Sequence, residues 1–333
     1  MFAYETNIDK NLVMKSPILG VDLGGTKTEV ALVDTNGNVL YFHKYPTNPD
    51  KGLDGVVADI VSSVNRCLCK TEQEPKMMGI GVAGQVDFDG TVLHAPNLMW
   101  YNVPLKAMLE EKLGLQVVVT NDVRAATYGE WIYGSGIGVD DLIVLFVGTG
   151  IGGGVISGGR MIVGCRNVAG ELGHTTIVAN GRRCRCNNLG CLEAYAGGWA
   201  IAERAQLAVN ENLKAGQRIL SYAGSIQNIT AATISQAYSE GDQLAHQLAD
   251  ETAQYLAAGV VSFINAFNPC LFVMGGGVIE GLPNLIQNVE IIVRKQALKA
   301  AINNLTFTKA KLGNKAGVVG ATAIVQKRID RAL

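Results

Sequence analysis

Three thiols crowd into one short stretch of this chain, Cys184, Cys186 and Cys191, where flanking arginines make poor core material. His174 stands ten residues ahead of the first of them. Three sulfurs and one imidazole suit the tetrahedral, closed coordination of a structural zinc ion. The other reading is three unrelated reduced thiols. Glycine supplies a second kind of chemistry, in three clusters: Gly24-Gly25-Thr26-Lys27, Gly148-Thr149-Gly150-Ile151-Gly152-Gly153-Gly154, and Gly275-Gly276-Gly277. Without a Cβ, successive backbone N–H groups can approach an anion closely. Each cluster is therefore a phosphate cradle or a plain tight turn. Asp122, after Thr120-Asn121, stands where a strand gives way to a helix. A carboxylate there can accept a proton, or it can simply stabilise the helix start through the dipole.

Two familiar phosphate motifs come close and fail. Gly148, Gly150 and Gly153 satisfy the dinucleotide fingerprint, but that motif must open a helix. Here Val155-Ile156-Ser157-Gly158-Gly159 follows, which is hairpin material. Gly20 to Lys27 resembles a Walker A loop with one residue too many before the lysine, and a strand follows it too. Both glycine loops belong inside β-hairpins.

The elements that must hold these groups are legible from apolar patterning. Pro17–Asp22 reads as a buried strand, Lys27–Val33 as a second, and Val39–Tyr45 as a third beyond the Asn36-Gly37 turn. Asp54–Leu68 has helical spacing, Met77–Val82 is a strand running into Ala83-Gly84, and Leu105–Leu113 is a helix closed by Gly114. Val117–Thr120 is a strand, followed by a helix to about Tyr133. After Gly134–Gly138 the pattern starts again: strand Asp141–Val147, glycine turn, strand, tight turn, strand. Such self-similarity suggests two related lobes, divided as residues 17–137 with 317–333 and residues 138–316. A long helix spans Asp242–Ala266, a strand Leu271–Met274, and a terminal helix Ala316–Arg328.

Composition narrows the class. The 333 residues carry 28 basic and 29 acidic side chains, a net charge of −1, and no long basic run. That balance gives no field for a nucleic-acid backbone or an anionic membrane. Tyr255–Phe267, the longest apolar candidate, is interrupted by Gly259, Ser262 and Asn265 and falls short of the ~20 residues of a spanning helix. Met1–Ser16 lacks the apolar run of a secretory signal. Seven cysteines, an odd number, argue against a disulfide framework. The expectation is a cytoplasmic protein.

Five strings, in this order, carry a resemblance: Asp22-Leu-Gly-Gly-Thr-Lys27, Thr120-Asn-Asp122, Gly148-Thr-Gly-Ile-Gly-Gly-Gly154, Glu171-Leu-Gly-His174, and Cys184-Arg-Cys186 with Gly190-Cys-Leu-Glu193. Together they resemble the ROK family of bacterial sugar kinases and repressors, over roughly residues 17 to 330. The resemblance implies an α/β protein of the two-lobed actin-like ATPase fold, with a cleft between the lobes. It implies ATP-dependent phosphorylation of the 6-hydroxyl of a hexose, glucose first, with N-acetylmannosamine, N-acetylglucosamine or fructose as alternatives. Asp122 matches the family's catalytic base. Asn97, Asn121, Glu171, His174 and Glu193 match its ring-hydroxyl ligands, and Gly84 would line the same site. Asp22 would hold Mg²⁺ through water, and Lys27 would face the phosphates; either could instead be a turn residue. Gly24, Gly25, Thr26, Gly148, Thr149, Gly150, Gly152, Gly275, Gly276 and Gly277 would cradle the nucleotide.

His174, Cys184, Cys186 and Cys191 match the family's structural zinc site. Asn187 departs from the pattern, since glycine is usual after the second cysteine; asparagine tolerates left-handed backbone better than most residues. The family's repressors carry a DNA-binding unit ahead of the first glycine hairpin, and Met1–Ser16 is too short and polar for one, so a repressor is not expected. A homodimer or homotetramer is common in the family.

Overall fold

Alternation along one strand sets the architecture of the first half. In β1 (Ile18–Leu23), Leu19, Val21 and Leu23 pack into a core with Val56, Val57, Ile60 and Val64 of the helix Gly52–Leu68. Gly20 and Asp22 face the other way, under the C-terminal helix Ala316–Ala332. A Cβ on Gly20 would lie 2.2 Å from the Val318 carbonyl oxygen, and one on Gly79 only 1.8 Å from that of Ala321. The helix backbone therefore rests directly on the strands, which only glycine permits. The computed structural model describes residues 16–71 and 75–332; the leading segment, expected to carry no secretory signal, lies outside the described residues but for Ser16.

β1 sits in a five-stranded sheet of order β3-β2-β1-β4-β8, with β2 at Lys27–Val33, β3 at Val39–Pro46, β4 at Met77–Val82 and β8 at Gln116–Asn121. The pairs β1/β2 and β2/β3 are antiparallel, whereas β4 runs parallel to β1 and β8 parallel to β4. A small sheet of β5 (Gln85–Val86), β6 (Val92–Ala95) and β7 (Trp100–Val103), too short to leave a periodic signal, holds the turn Pro96–Leu98.

The second sheet, β11-β10-β9-β12-β13, repeats that order and those directions. It contains β9 (Leu142–Val147), β10 (Ile151–Ser157), β11 (Arg160–Met161), β12 (Leu271–Gly275) and β13 (Thr306–Lys309). Its core centres on the helix Gln243–Phe267, which Asp242 caps by accepting from the Ala245 N–H at 2.9 Å and which Asn268 closes at φ 46°. Leu248, Leu256, Val260 and Phe263 are buried on its inner face.

The described residues form two compact units: those of 16–137, 163–169 and 314–332 in one, 138–162 and 170–313 in the other. This differs from the expected division, which left 138–316 undivided. Val163–Ala169 returns to the first unit because Arg124, on the helix Asp122–Ile132, donates to Asn167 Oδ1 (2.5 Å) and to the carbonyls of Asn167 (3.0 Å) and Ala169 (3.2 Å). Among the described residues no helix is long and apolar enough to cross a membrane.

Candidate active site

In the first unit the parallel register places Asp22 beside Gly81, and Gly81 beside Thr120, so Asp22 and Asp122 emerge at the same end of the sheet. Two strand spacings of about 4.8 Å separate their strands. Asn121 is the helix N-cap: its Oδ1 accepts from the Arg124 N–H at 3.0 Å. Its Nδ2 donates to the Gly84 carbonyl (3.1 Å) and to Asp122 Oδ1 (2.9 Å), which also accepts from the Val123 N–H at 2.9 Å. Expected as a hydroxyl ligand, Asn121 has both amide hydrogens committed within the protein. Its observed work is to orient Asp122.

The first glycine turn closes with the Gly24 N–H on the Lys27 carbonyl at 3.0 Å. Asn97 is brought against it, because a Cβ on Gly25 would lie 2.5 Å from the Asn97 Cβ. The Lys27 ammonium, expected at the phosphates, donates instead to buried Glu29 at 2.8 Å. Asp22 is half-buried, and a Cβ on Gly317 would lie 2.2 Å from its Oδ2. Burial, then the neighbouring charges of Asp122 and Glu29, raise the Asp22 carboxyl to about 7 against the opposing pull of Lys27. Such a carboxylate favours a cation beside it.

In the second unit the turn is only Gly148-Thr149-Gly150, closed by the Gly148 N–H on the Gly150 carbonyl at 2.9 Å. Gly152 lies within β10, paired with Phe146, and so does not join the turn. The carbonyls of Gly148 and Thr149 accept from the N–H groups of Gly198 (2.9 Å) and Trp199 (3.1 Å) at the start of the helix Gly198–Glu211. Glu193 Oε2 accepts from the Ile151 N–H at 2.8 Å, and a Cβ on Gly150 would lie 2.4 Å from that oxygen. Glu171 is exposed at the head of the turn Leu172–His174, which packs on β10: a Cβ on Gly173 would lie 2.0 Å from the Ile151 carbonyl.

The third glycine cluster is a strand-to-helix turn rather than a hairpin. Gly275 and Gly276 are accounted for by packing, since Cβ atoms there would lie 2.6 Å from the Ala310 Cβ and 2.5 Å from the Val147 carbonyl oxygen. Gly277 faces open space.

His174, Cys184, Cys186 and Cys191 place their ligand atoms within 4.8 Å of one another. The Cys184 Sγ lies 3.7 Å from His174 Nδ1, and the Cys186 and Cys191 sulfurs are 3.7 Å apart. Tetrahedral zinc with its usual bond lengths spaces S and N by about 3.6 Å and two sulfurs by about 3.8 Å. Burial pushes the Cys184 thiol up to about 12 and raises Cys191, so thiolates here need a cation among them. Asn187 adopts φ 72°, the left-handed turn that glycine usually supplies. Arg182 donates its N–H to the Tyr195 hydroxyl at 2.8 Å, which ties the loop to the helix Glu193–Ala196.

Sequence reading missed Arg124, Asn167, Trp199 and Gly317. Each has at least one partner far away in the chain, and none sits in a motif.

This geometry has known counterparts. A glucokinase of Streptomyces coelicolor is 34% identical over 312 residues, covering 93% of this chain and 97% of that protein. A xylose repressor of Caldicellulosiruptor bescii is 32% identical over 92% of this chain and 77% of its own length. Among solved structures, a ROK family glucokinase from Streptomyces griseus, in complex with glucose and AMPPNP, is 35% identical with a TM-score of 0.82, covering 93% of this chain and 99% of that one. The model of the ROK family matches residues 18–328, and with its actin-like ATPase fold the chain belongs to that family.

Proposed function

We propose that this protein transfers the γ-phosphoryl group of ATP to the 6-hydroxyl of a hexose, glucose before other sugars. The protein is a sugar kinase in this reading. The observation that carries it is the pairing of Asp22 and Asp122 at one end of the first sheet, beside a glycine hairpin, with Asp122 oriented by Asn121. Asp122 takes the proton as O6 bonds to phosphorus and the bond from phosphorus to the ADP oxygen breaks. Little covalent work falls to the protein in such a transfer, so positioning and charge neutralisation dominate.

Asp22 would hold Mg²⁺ through water, and that ion would offset charge on the phosphates. Asn97, Glu171, His174 and Glu193 hold ring hydroxyls, because a polyol must exchange its water hydrogen bonds for protein ones. His174 Nδ1 belongs to the metal cluster, which leaves Nε2 for a hydroxyl. The four-ligand cluster holds zinc with no open position, a structural role. The Streptomyces glucokinases support glucose as the first choice.

A coupled assay over glucose, mannose, fructose, N-acetylglucosamine and N-acetylmannosamine tests this. Glucose is expected to give the highest kcat/KM. Sugar binding without ADP release on any of them would leave a sensor, as in the repressor relative, and end the kinase reading.

A further inference from the structure

Both oxygens of Glu193 are spoken for within the second unit. Oε2 accepts from the Ile151 N–H in the glycine hairpin, and Oε1 lies 3.3 Å from the Trp199 indole Nε1, which donates to it. The same tryptophan donates its backbone N–H to the Thr149 carbonyl at 3.1 Å. Above its ring lies the Arg185 guanidinium, 4.5 Å from the centroid. Arg185 stands between two of the metal-binding cysteines, and its side chain is exposed. One half-buried side chain thus touches the metal loop, the carboxylate and the phosphate hairpin.

We infer that Trp199 is a positioning residue: it transmits the placement of the metal loop, through Arg185 stacked on its ring, to the Glu193 carboxylate and so sets hexose affinity. The inference rests on the reading of Glu193 as a hexose ligand and adds the residue that aims it. A carboxylate with one oxygen held could still swing about that bond. Holding the second oxygen removes the swing and presents the remaining lone pairs in one direction, so that less ordering is left for the sugar to impose. Cation–π stacking on tryptophan is the strongest of its class, which makes Arg185 a suitable lever on an indole it does not hydrogen-bond.

The test is a double-mutant cycle on the full chain with its metal bound, using Trp199→Phe and Arg185→Ala. The phenylalanine keeps a ring for the guanidinium and deletes only the indole N–H; the alanine removes the lever and leaves all four metal ligands. Glucose Kd is read by calorimetry, independently of turnover, with metal content and Tm recorded for each variant. Trp199→Phe is expected to weaken glucose binding about fivefold, the effect of losing one modest hydrogen bond, and Arg185→Ala about threefold, a weak cation–π contribution. Added to Trp199→Phe, the Arg185→Ala change should have no further effect, because the two act in series. Glucose KM should rise by the same factors with kcat within about twofold of wild type, a split that simple loosening of the fold does not produce.

Effects on Kd that multiply independently would overturn the relay, as would an unchanged Kd in Trp199→Phe while wild type binds glucose. If Trp199→Phe loses metal or folds poorly, Arg185→Ala alone decides: unchanged glucose affinity overturns the relay, and weakened affinity at full metal content supports it. A wild-type protein that binds no hexose overturns the functional reading, and this inference with it.

Discussion

The two glycine hairpins have the same strand order and directions, yet they are held in different ways. The first is programmed locally: its turn closes on its own Lys27 carbonyl, and the charges around it, Asp22, Lys27 and Glu29, lie within one hairpin. The second carries no charge in its turn. Its position depends on Glu193, forty-two residues beyond Ile151, and on two N–H groups at the start of the helix Gly198–Glu211. A duplicated supersecondary unit can therefore keep its backbone while one copy carries the charged side chains and the other is held by partners distant in the chain.

That contrast can be broken hardest at Asp122. Replacing it with alanine should lower kcat at least about a hundredfold, the lower end of what a general base contributes, with nucleotide binding kept; steady-state kinetics and nucleotide calorimetry check both halves. Next in size is the metal loop. Wild type should carry one zinc per chain by elemental analysis, and Cys191→Ser should abolish it, raise glucose KM at least about tenfold, and speed hydrogen exchange between residues 174 and 193. Full exchange protection in a metal-free variant would remove the loop from this account.

Two alanines sharpen the comparison further. Gly317→Ala drives a Cβ into Asp22 and Gly150→Ala drives one into Glu193. Each should cost about 1–3 kcal/mol of stability, the usual range for overpacking, seen as a drop in Tm. They should part company in kinetics: the first lowers kcat, the second raises glucose KM. Identical kinetic signatures would mean that the two hairpins are not specialised as described.

The smallest effect concerns pH. Asp22 is raised from 3.8 to about 7, so between those values the folded chain binds the proton more tightly than the unfolded chain does. Stability therefore falls as pH rises through that window, and above it the full cost of charging this partly desolvated carboxylate remains. Asp22→Asn should raise the Tm by several degrees at about pH 8 in the absence of divalent ions, and the gain should vanish near about pH 4. A gain that is the same at both pH values would locate the effect elsewhere.

Much of the fold is legible in the amino-acid sequence. Apolar runs bounded by turn residues mark β1, β2, β4, β9 and β12, because a strand buried on both faces needs only a continuous apolar run and a turn at each end. The candidate metal cluster is legible for a similar reason, three of its four residues falling within eight positions. Less can be read where glycines serve packing: Gly152 looks like its neighbours in Gly148–Gly154, and only the ladder to β9 assigns it to a strand. Gly275 and Gly276 have the pattern of a third cradle, and only contact with Ala310 and Val147 supplies another reason for them.

The sequence alone thus determined the family and the repeat of strand, glycine turn and strand along the chain, since these are encoded by short-range pattern and composition. Tertiary structure alone decided which oxygen each side chain presents. It gave Asn121 a capping and orienting role, drew Lys27 onto Glu29, returned Val163–Ala169 to the first unit and set Trp199 against Glu193. Hydrogen bonds and steric contacts act over a few ångströms, and the residues that meet at that range here are as far apart in the chain as Asp22 and Gly317.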